Sequence, residues 1–402
     1  MKNKRDFDLI IWGATGFTGN LVCDYISKNY NERELRWAIA GRNEKKILKL
    51  QQKLKIDDSR TIIADSSDKD SLVKMVKKSK VVCTTVGPYA KYGTNLVEAC
   101  IEGETNYCDI TGETQWIRRI IDRFHTKAKE KNIKIINSCG FDSIPSDMGV
   151  FYSQKIMLEK TGKYASTINM RVAGAKGGIS GGTYNSLSNV LEEALIDKEV
   201  RKTLTNPYGL NPIDKQFGPD KSDLRKVIFD TVSNSWIAPF VMAGINTKIV
   251  RRSHALMDFM YGKNFAYDEA TLTGKGIAGQ IRGYMSLIPI FLATRKKGSI
   301  IKKIVDFILP KSGEGPSKKT RINGYYNLRF YLTLDKMTYV SKVLGDMDPG
   351  YGSTSKMLAE SAICLALDEI PDTYGILTPS VALGDSLLKR LEENAGLTFI
   401  FD

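Results

Sequence analysis

The spacing of apolar positions divides the chain into a regular first third and a less regular remainder. Short apolar runs at 9–12, 36–40, 61–64, 81–86, 106–110 and 133–137 predict six strands. Between them, apolar residues recur at helical spacing in 21–26, 43–54, 69–78, 96–102 and 116–131. Strands alternating with helices in this way build a parallel sheet covered on both faces. The expected fold class is therefore α/β, with an N-terminal doubly wound parallel sheet of the Rossmann type.

After Asp147 the pattern changes. A helix is expected over 149–160, a strand over 167–174, and a strand pair at 325–334 and 338–344 around Asp335 and Lys336. These predict a second, α+β domain. Residues 205–323, rich in Pro, Gly and Lys, read as irregular. Helices are expected at 353–367 and at 380–393, the latter behind Thr378 as N-cap and Pro379 as first helical residue. By analogy with two-domain dehydrogenases, they return to the first domain. The expected division is 1–147 for the Rossmann-type domain, 148–345 for a second domain serving substrate or interface, and 346–402 for the returning helices.

The first strand runs directly into glycines, in Gly13-Ala-Thr-Gly16-Phe-Thr-Gly19. Gly13 permits a tight turn off the strand. Gly16 lets backbone approach a ligand without a Cβ in the way, and Gly19 lets the helix pack close to the sheet. Strand, glycine turn and helix N-terminus in this order suit a dinucleotide pyrophosphate. Thr15, Phe17 and Thr18 complete the candidate turn. The spacing is a variant of GxGxxG, and a simple glycine-rich turn is the competing reading.

The end of the second strand selects the cofactor. NAD-specific folds place a carboxylate there for the ribose hydroxyls. This chain has Gly41-Arg42-Asn43. An arginine at this place can pair with a 2′-phosphate and stack on adenine, which favours NADP (as NADPH) over NAD. Alternatively, Arg42 simply faces solvent at a helix start. Asp65 and Ser66 occupy the usual place for adenine contact, and Val86-Gly87-Pro88-Tyr89 would lie beside ribose and nicotinamide.

Ligands of such folds bind outside the carboxyl ends of the strands. The loops there offer Tyr89, Tyr92, Asp109, Thr111, Glu113, Cys139, Asp142 and Ser143. Tyr89, Asp142 and Ser143 are the catalytic candidates, as substrate ligands or as proton relay after hydride transfer. The competing reading of Asp142-Ser143 is a turn that caps the following helix. Cys139 reads as a packed thiol, since no histidine is at hand to activate it. A second glycine-rich run, Ala175-Lys-Gly-Gly-Ile-Ser-Gly-Gly-Thr-Tyr184, reads equally as an anion or carbonyl receiver and as a tight bend.

Composition narrows the classes. The 402 residues carry a net charge of +14, and 42% are hydrophobic. No apolar run reaches the roughly 18–20 residues needed to span a bilayer, and the N-terminus lacks a signal-peptide pattern. Six cysteines without CxxC spacing suit buried free thiols and a reducing, intracellular, cytoplasmic setting. With only His125 and His254, no His-rich metal site is expected. Residues 201–330 hold 22 basic and 9 acidic side chains, whereas 331–402 hold 5 and 11. The basic middle reads as a meeting place for an acidic partner or as a solubilising surface. No nucleic-acid-binding motif accompanies the charge, so no nucleic-acid partner is expected. The sequence fixes no oligomeric state, although a dimer is compatible with it.

Several of these stretches together resemble a known family. Gly13 to Gly19, Ala40-Gly-Arg42, Val86-Gly-Pro-Tyr89, Tyr107-Cys-Asp-Ile-Thr-Gly-Glu113, Cys139-Gly-Phe-Asp-Ser-Ile-Pro-Ser-Asp147, Ser180-Gly-Gly-Thr183 and Asp348-Pro-Gly-Tyr-Gly352 are similar to motifs of the saccharopine dehydrogenase-like oxidoreductases. The branch that includes the trans-acting enoyl reductases is the nearest in pattern. The resemblance spans almost the whole chain and is weakest between about 200 and 320. It implies an NADP-binding Rossmann domain and a second α/β domain. For the enoyl reductases it implies reduction of a carbon–carbon double bond in an acyl chain during lipid or glycolipid synthesis. For true saccharopine enzymes it implies hydride transfer at a C–N bond of an amino acid. It supports Gly13, Gly16, Gly19 and Arg42 as cofactor residues and assigns no catalytic acid.

Residues 284–311 join a short, Pro-broken apolar stretch to Arg295-Lys296-Lys297 and an amphipathic run. In that run Ile300, Ile301, Ile304, Val305 and Ile308 fall opposite Lys302, Lys303 and Asp306. Such a segment can lie in the headgroup region of anionic lipid or pack as an ordinary surface helix. The leading expectation is an NADP-dependent reductase of a hydrophobic or acyl substrate, attached peripherally to a membrane or lipid surface. The alternatives are a saccharopine-type amino-acid reductase and a non-catalytic NADP-binding protein on lipid surfaces.

Overall fold

A computed structural model describes residues 5–177, 181–293 and 315–402. Its elements run β1 (Phe7–Trp12), α1 (Phe17–Asn29), β2 (Trp37–Gly41), α2 (Glu44–Leu54), β3 (Thr61–Ile63), α3 (Lys69–Val76), β4 (Ser79–Thr84), α4 (Tyr89–Glu102), β5 (Asn106–Asp109), α5 (Thr114–Glu130) and β6 (Lys134–Ile136). Then come α6 (Ile144–Thr161), β7 (Thr167–Lys176), α7 (Gly181–Ile196), α8 (Lys198–Thr205), β8 (Ile228–Asp230), β9 (Ser235–Ala238), α9 (Ala243–Leu256), β10 (Ala266–Gly274) and α10 (Gly276–Ala293). The remainder is α11 (Lys318–Ile322), β11 (Tyr325–Leu334), β12 (Met337–Gly345), α12 (Thr354–Leu367), β13 (Gly375–Leu377), α13 (Pro379–Glu393) and β14 (Leu397–Phe401).

The chain forms two units, one of residues 1–144 with 350–395, the other of 145–349 with 396–402. In the first, a wholly parallel sheet has the order β13-β6-β5-β4-β1-β2-β3. The order reverses direction between β1 and β4, which opens a crevice at their carboxyl ends. Leu9, Ile10, Ile11, Ala38, Ile39, Val81 and Val82 are fully buried, as strands covered on both faces require. Helix α12 returns after the second unit and packs on β1, β4, β5 and α1, with Met357, Leu358, Ala362 and Ile363 fully buried. Helix α13 packs on α12. Its start carries Thr378 as N-cap, though the side chain makes no capping bond, and Pro379 as first residue.

The second unit is built on a mixed sheet of order β14-β12-β11-β7-β10-β9-β8, in which only β7 and β10 run parallel among the paired strands. Helix α6 lies on it closely enough that a Cβ on Gly149 would come within 2.4 Å of the Phe330 ring. Residues 205–323 are not irregular throughout. They hold β8, β9, α9, β10, α10 and α11. The hydrophobic period hides α9 because that helix buries Lys248, Arg251 and Arg252 along with its apolar side chains. Their charged ends meet backbone carbonyls and carboxylates: Lys248 Nζ donates to Gly244 O and pairs with Asp223, Arg251 donates to Tyr267 O and Pro207 O and pairs with Asp220, and Arg252 donates to Leu210 O.

Candidate cofactor site and active site

β1 delivers Gly13 to the crevice with φ +83°, a conformation that favours glycine. A Cβ there would stand 2.6 Å from Val86 Cγ2 and 3.1 Å from Thr85 Oγ1. The turn after β1 therefore lies directly on the exit of β4, to which it is tied by Thr85 N–H donating to Trp12 O at 3.1 Å. Gly13 N–H donates to Ala40 O at 3.0 Å, which ties the same turn to β2. Gly16 is the N-cap of α1 and, having no side chain, supplies no capping bond of its own. A Cβ on Gly19 would fall 2.2 Å from Gly13 O, so only glycine lets α1 descend this close to the turn. The arrangement leaves the positive end of α1 to a ligand anion.

The start of α4, by contrast, is closed. The fully buried Glu113 carboxylate accepts from Tyr89 N–H at 2.8 Å and Ala90 N–H at 2.9 Å. Two helix starts thus face the same sheet edge. One is filled by the protein's own carboxylate, and the other has a glycine as its N-cap.

Arg42 follows β2 with its side chain exposed, immediately after the buried Gly41. Gly41 packs under Ile47, with Thr15 Oγ1 3.9 Å from where its Cβ would be. Asp65 accepts from Ser67 N–H at 2.8 Å and Ser67 Oγ–H at 2.7 Å. Those bonds, with the Arg42 charge adding to them, hold its carboxyl below the usual range. Arg42 and Asp65 therefore share one neighbourhood beyond β2 and β3, where a 2′-phosphate would meet the guanidinium. The Gly87-Pro88 peptide is cis, and Gly87 is exposed at the end of the β4 loop. The glycine N-cap of α1 and the close-packed glycines fit a dinucleotide phosphate, and the exposed arginine fits the phosphorylated ribose.

The structure separates the three catalytic candidates. Tyr89 is buried, and its hydroxyl donates to Thr84 O at 3.2 Å and accepts from Ile110 N–H at 3.4 Å. Burial pushes it well above the usual tyrosine range. It joins β4 to the exit of β5, with both of its hydroxyl bonds made to the framework. Ser143 is fully buried, and its Oγ has no hydrogen-bond partner among the described residues. Asp142 is partly buried, and its carboxylate makes no hydrogen bond or ion pair among the described residues. Oδ2 lies over the β5–α5 loop, 3.3 Å from where a Cβ on Gly112 would be. Burial pushes Asp142 up to about 7.

The rest of that loop cluster is locked. Asp109 accepts from Tyr107 OH and Asn137 Nδ2 at 2.8 Å each, and from Thr111 N–H and Ser138 N–H at 3.0 Å each. Burial still pushes its carboxyl up to about 6. Cys139 is buried and its thiol raised well above the usual range by burial, as a packed thiol should be. Asp147 belongs to the second unit, where it accepts from Ser253 Oγ on α9.

A family model described as the saccharopine dehydrogenase NADP-binding domain matches residues 9–136. A Mycobacterium tuberculosis relative provisionally named a trans-acting enoyl reductase is 36% identical over 403 residues, covering 96% of each chain. The trans-acting enoyl reductase of Mycobacterium leprae is 34% identical over 405 residues, covering 97% of this chain and 96% of its own. The chain belongs to the saccharopine dehydrogenase-like family, in its trans-acting enoyl reductase branch. It is an NADP-binding oxidoreductase. Saccharopine dehydrogenase (L-Glu forming) from Saccharomyces cerevisiae superposes with a TM-score of 0.53 at 13% identity, covering 98% of this chain and 99% of its own. That likeness shows the fold alone.

Several parts of this oxidoreductase's site have no local sequence signal. Glu113 closes a helix that begins 24 residues before it. Thr354, at the start of α12, accepts from Phe141 N–H at 2.9 Å and fixes the loop that presents Asp142. Tyr351 sets its ring edge-on to Phe17 at 5.3 Å, beside the start of α1. The Asp348-Pro-Gly-Tyr-Gly352 motif was the available pointer to the last two. The glycine-rich run at 175–184 and the segment at 284–311 fall partly outside the described residues. Among the described residues, no helix is long and apolar enough to cross a membrane.

Proposed function

We propose that this chain reduces the carbon–carbon double bond of an enoyl group, conjugated to an acyl carbonyl, in lipid or glycolipid metabolism at a membrane surface. The observation that carries the reading is the end-to-end similarity to relatives named enoyl reductases, on a chain whose turn after β1 and α1 start are built on close-packed glycines. When bound, NADPH supplies the hydride. Gly13, Thr15, Gly16, Phe17, Thr18 and Gly19 would hold its pyrophosphate, Gly41, Arg42 and Asp65 its adenosine end, and Gly87 and Pro88 the nicotinamide side.

Reduction of the alkene also needs a proton, delivered to the carbon next to the carbonyl. Asp142 holds one at its carboxyl near neutral pH, because it is desolvated and lacks a cationic partner to stabilise its charged form. The rigid loop beneath it, pinned by Thr354 and by Cys139 N–H donating to Asp109 O at 2.7 Å, fixes where that proton is offered. Saccharopine-type C–N reduction gains nothing from the fold likeness at 13% identity.

The test is NADPH consumption by the purified chain with a short trans-2-enoyl thioester, followed by mass spectrometry of the product. Formation of the saturated thioester is expected. Tight NADPH binding with no turnover of any enoyl or amino-acid substrate would turn the reading toward a non-catalytic NADP-binding protein.

A further inference from the structure

Over Gly276–Ile288, helix α10 carries most of its large apolar side chains on the outside. Its inward row is Gly279, Gly283 and Leu287, at intervals of four residues. The two glycines press the helix against its surroundings. A Cβ on Gly279 would stand 2.1 Å from Gly274 O, and one on Gly283 would stand 2.7 Å from Val227 Cγ1. The helix also packs on β9 and β10. That side is therefore full, and it is filled largely by backbone. The outward row holds Ile277, Ile281, Tyr284, Met285 and Ile288, each between 53% and 76% exposed. These recur at offsets of 4, 7, 8 and 11, which is one helical face about 16 Å long. Single exposed apolar residues need no explanation, but a row of five does.

Charge identifies what meets this row. From Ala270 to Val305 the sequence contains Lys275, Arg282, Arg295, Lys296, Lys297, Lys302 and Lys303 and no aspartate or glutamate. Lys275 and Arg282 are exposed on or beside the helix itself. A second copy docking face to face would bring like charges together, since a two-fold interface sets the same patch against itself. An apolar row flanked by the exposed Lys275 and Arg282, in a stretch of sequence without an acidic residue, matches the boundary between acyl chains and anionic headgroups.

We infer that α10 is an interfacial membrane helix that lays Ile277, Ile281, Tyr284, Met285 and Ile288 into the headgroup region of an anionic bilayer. This deepens the membrane-surface part of the proposed function and is independent of the reaction assigned to the cofactor site. It places the contact on the N-terminal part of the stretch at 284–311 that sequence alone singled out, and extends it back to Ile277. The helix lies on the surface and does not cross it.

The experiment is co-sedimentation of the full chain with vesicles of phosphatidylcholine alone and with vesicles containing phosphatidylglycerol. Binding to the anionic vesicles is expected, with weakening as salt is raised. The double substitution Ile281→Glu with Met285→Glu should lower the vesicle partition coefficient at least about tenfold, since it removes two apolar side chains and adds two negative charges. Ile213→Glu, at another exposed apolar residue of the second unit (78% exposed), should leave it unchanged. NADPH affinity serves as the measure that each variant is folded.

Binding unaffected by the double substitution would overturn the inference, as would equal binding to neutral vesicles. Light scattering that shows a dimer in solution, converted to monomer by the same double substitution, would instead assign the row to a second copy and overturn it too. Absence of vesicle binding together with enoyl reduction in vesicle-free buffer would remove the surface and leave the enzyme reading intact. Vesicle binding without turnover would do the reverse.

Discussion

Gly19→Ala is the most direct test of the nucleotide cradle. The added methyl would lie 2.2 Å from Gly13 O, 2.9 Å from Gly13 C and 3.0 Å from Ala14 Cα. All three are backbone atoms, so no rotamer change relieves the clash. Either α1 retreats from β1 or the Gly13 turn opens, and the turn is fastened to both β2 and the exit of β4. Overpacking of this kind costs about 1–3 kcal/mol, offset by at most about 1 kcal/mol of improved helix propensity. For a unit of this size each kcal/mol moves the melting temperature by about 2–4 °C. A net loss of several degrees is expected, with NADPH affinity falling at least about tenfold because the phosphate contacts share the displaced backbone. Gly16→Ala is the internal comparison. Its Cβ would meet Gly13 O at 3.3 Å, a much milder contact. It should leave the melting temperature nearly unchanged. Differential scanning calorimetry and calorimetric NADPH titration read both variants. A Gly19→Ala protein with native melting temperature and native NADPH affinity would refute the claim that α1 and the turn form one rigid frame.

Arg42→Ala should lower NADPH affinity about tenfold while leaving NADH affinity unchanged, since it removes a charge-assisted contact to the 2′-phosphate only; equal losses for both cofactors in paired titrations would contradict this. Asp142→Asn should retain NADPH binding but lose most turnover. In the unaltered chain, the rate constant for turnover should fall as pH rises through about 7, where Asp142 loses its proton. The same raised pKa makes its contribution to stability greatest below about pH 4 and lost as pH rises through about 7, so the substitution should flatten part of the stability decline across that window, measured by urea melts. Glu113→Ala leaves two N–H donors at the start of α4 without their buried acceptor and should cost about 2–4 kcal/mol, whereas Glu113→Gln, which keeps one acceptor oxygen, should cost less; the melting temperatures decide.

The parts of the fold that were legible in sequence are those governed by local rules. β1, Gly13, Gly16, Gly19 and α1 announce themselves because an apolar run, a turn and a helix follow each other without interruption. Six of the seven strands in the parallel sheet were found this way. β13 was not, since Gly375–Leu377 is three residues long and strand-like only because it pairs with β6. In the second unit, α9 escaped notice because buried cations break its apolar period. α10 escaped because Gly279 and Gly283 face in while Ile277, Ile281 and Ile288 face out, which reverses the usual relation between hydrophobicity and burial. Asp142 and Ser143 were legible as chemistry, but not as unpartnered groups. That distinction depends on Thr354, which lies 212 residues beyond Asp142 in the sequence.

The discontinuity of the first unit has a consequence for the order in which the protein is made. All six of β1 to β6 leave the ribosome before α12, yet α12 covers β1, β4 and β5 on one face of that sheet. The intervening 205 residues, from Pro145 to Pro349, take roughly 10–40 s to translate at about 5–20 residues per second. Throughout that interval the nascent sheet presents bare valine and isoleucine rows where Met357, Leu358, Ala362 and Ile363 will later sit. The buried Glu360 that comes with them accepts from Tyr25 OH, Tyr30 OH and Arg390, and so clasps the first helix to the last one only when synthesis is nearly done. Nascent chains stalled before Gly350 should therefore recruit holding chaperones, and release of the nucleotide-binding half as a stable product should wait on the final fifty or so residues.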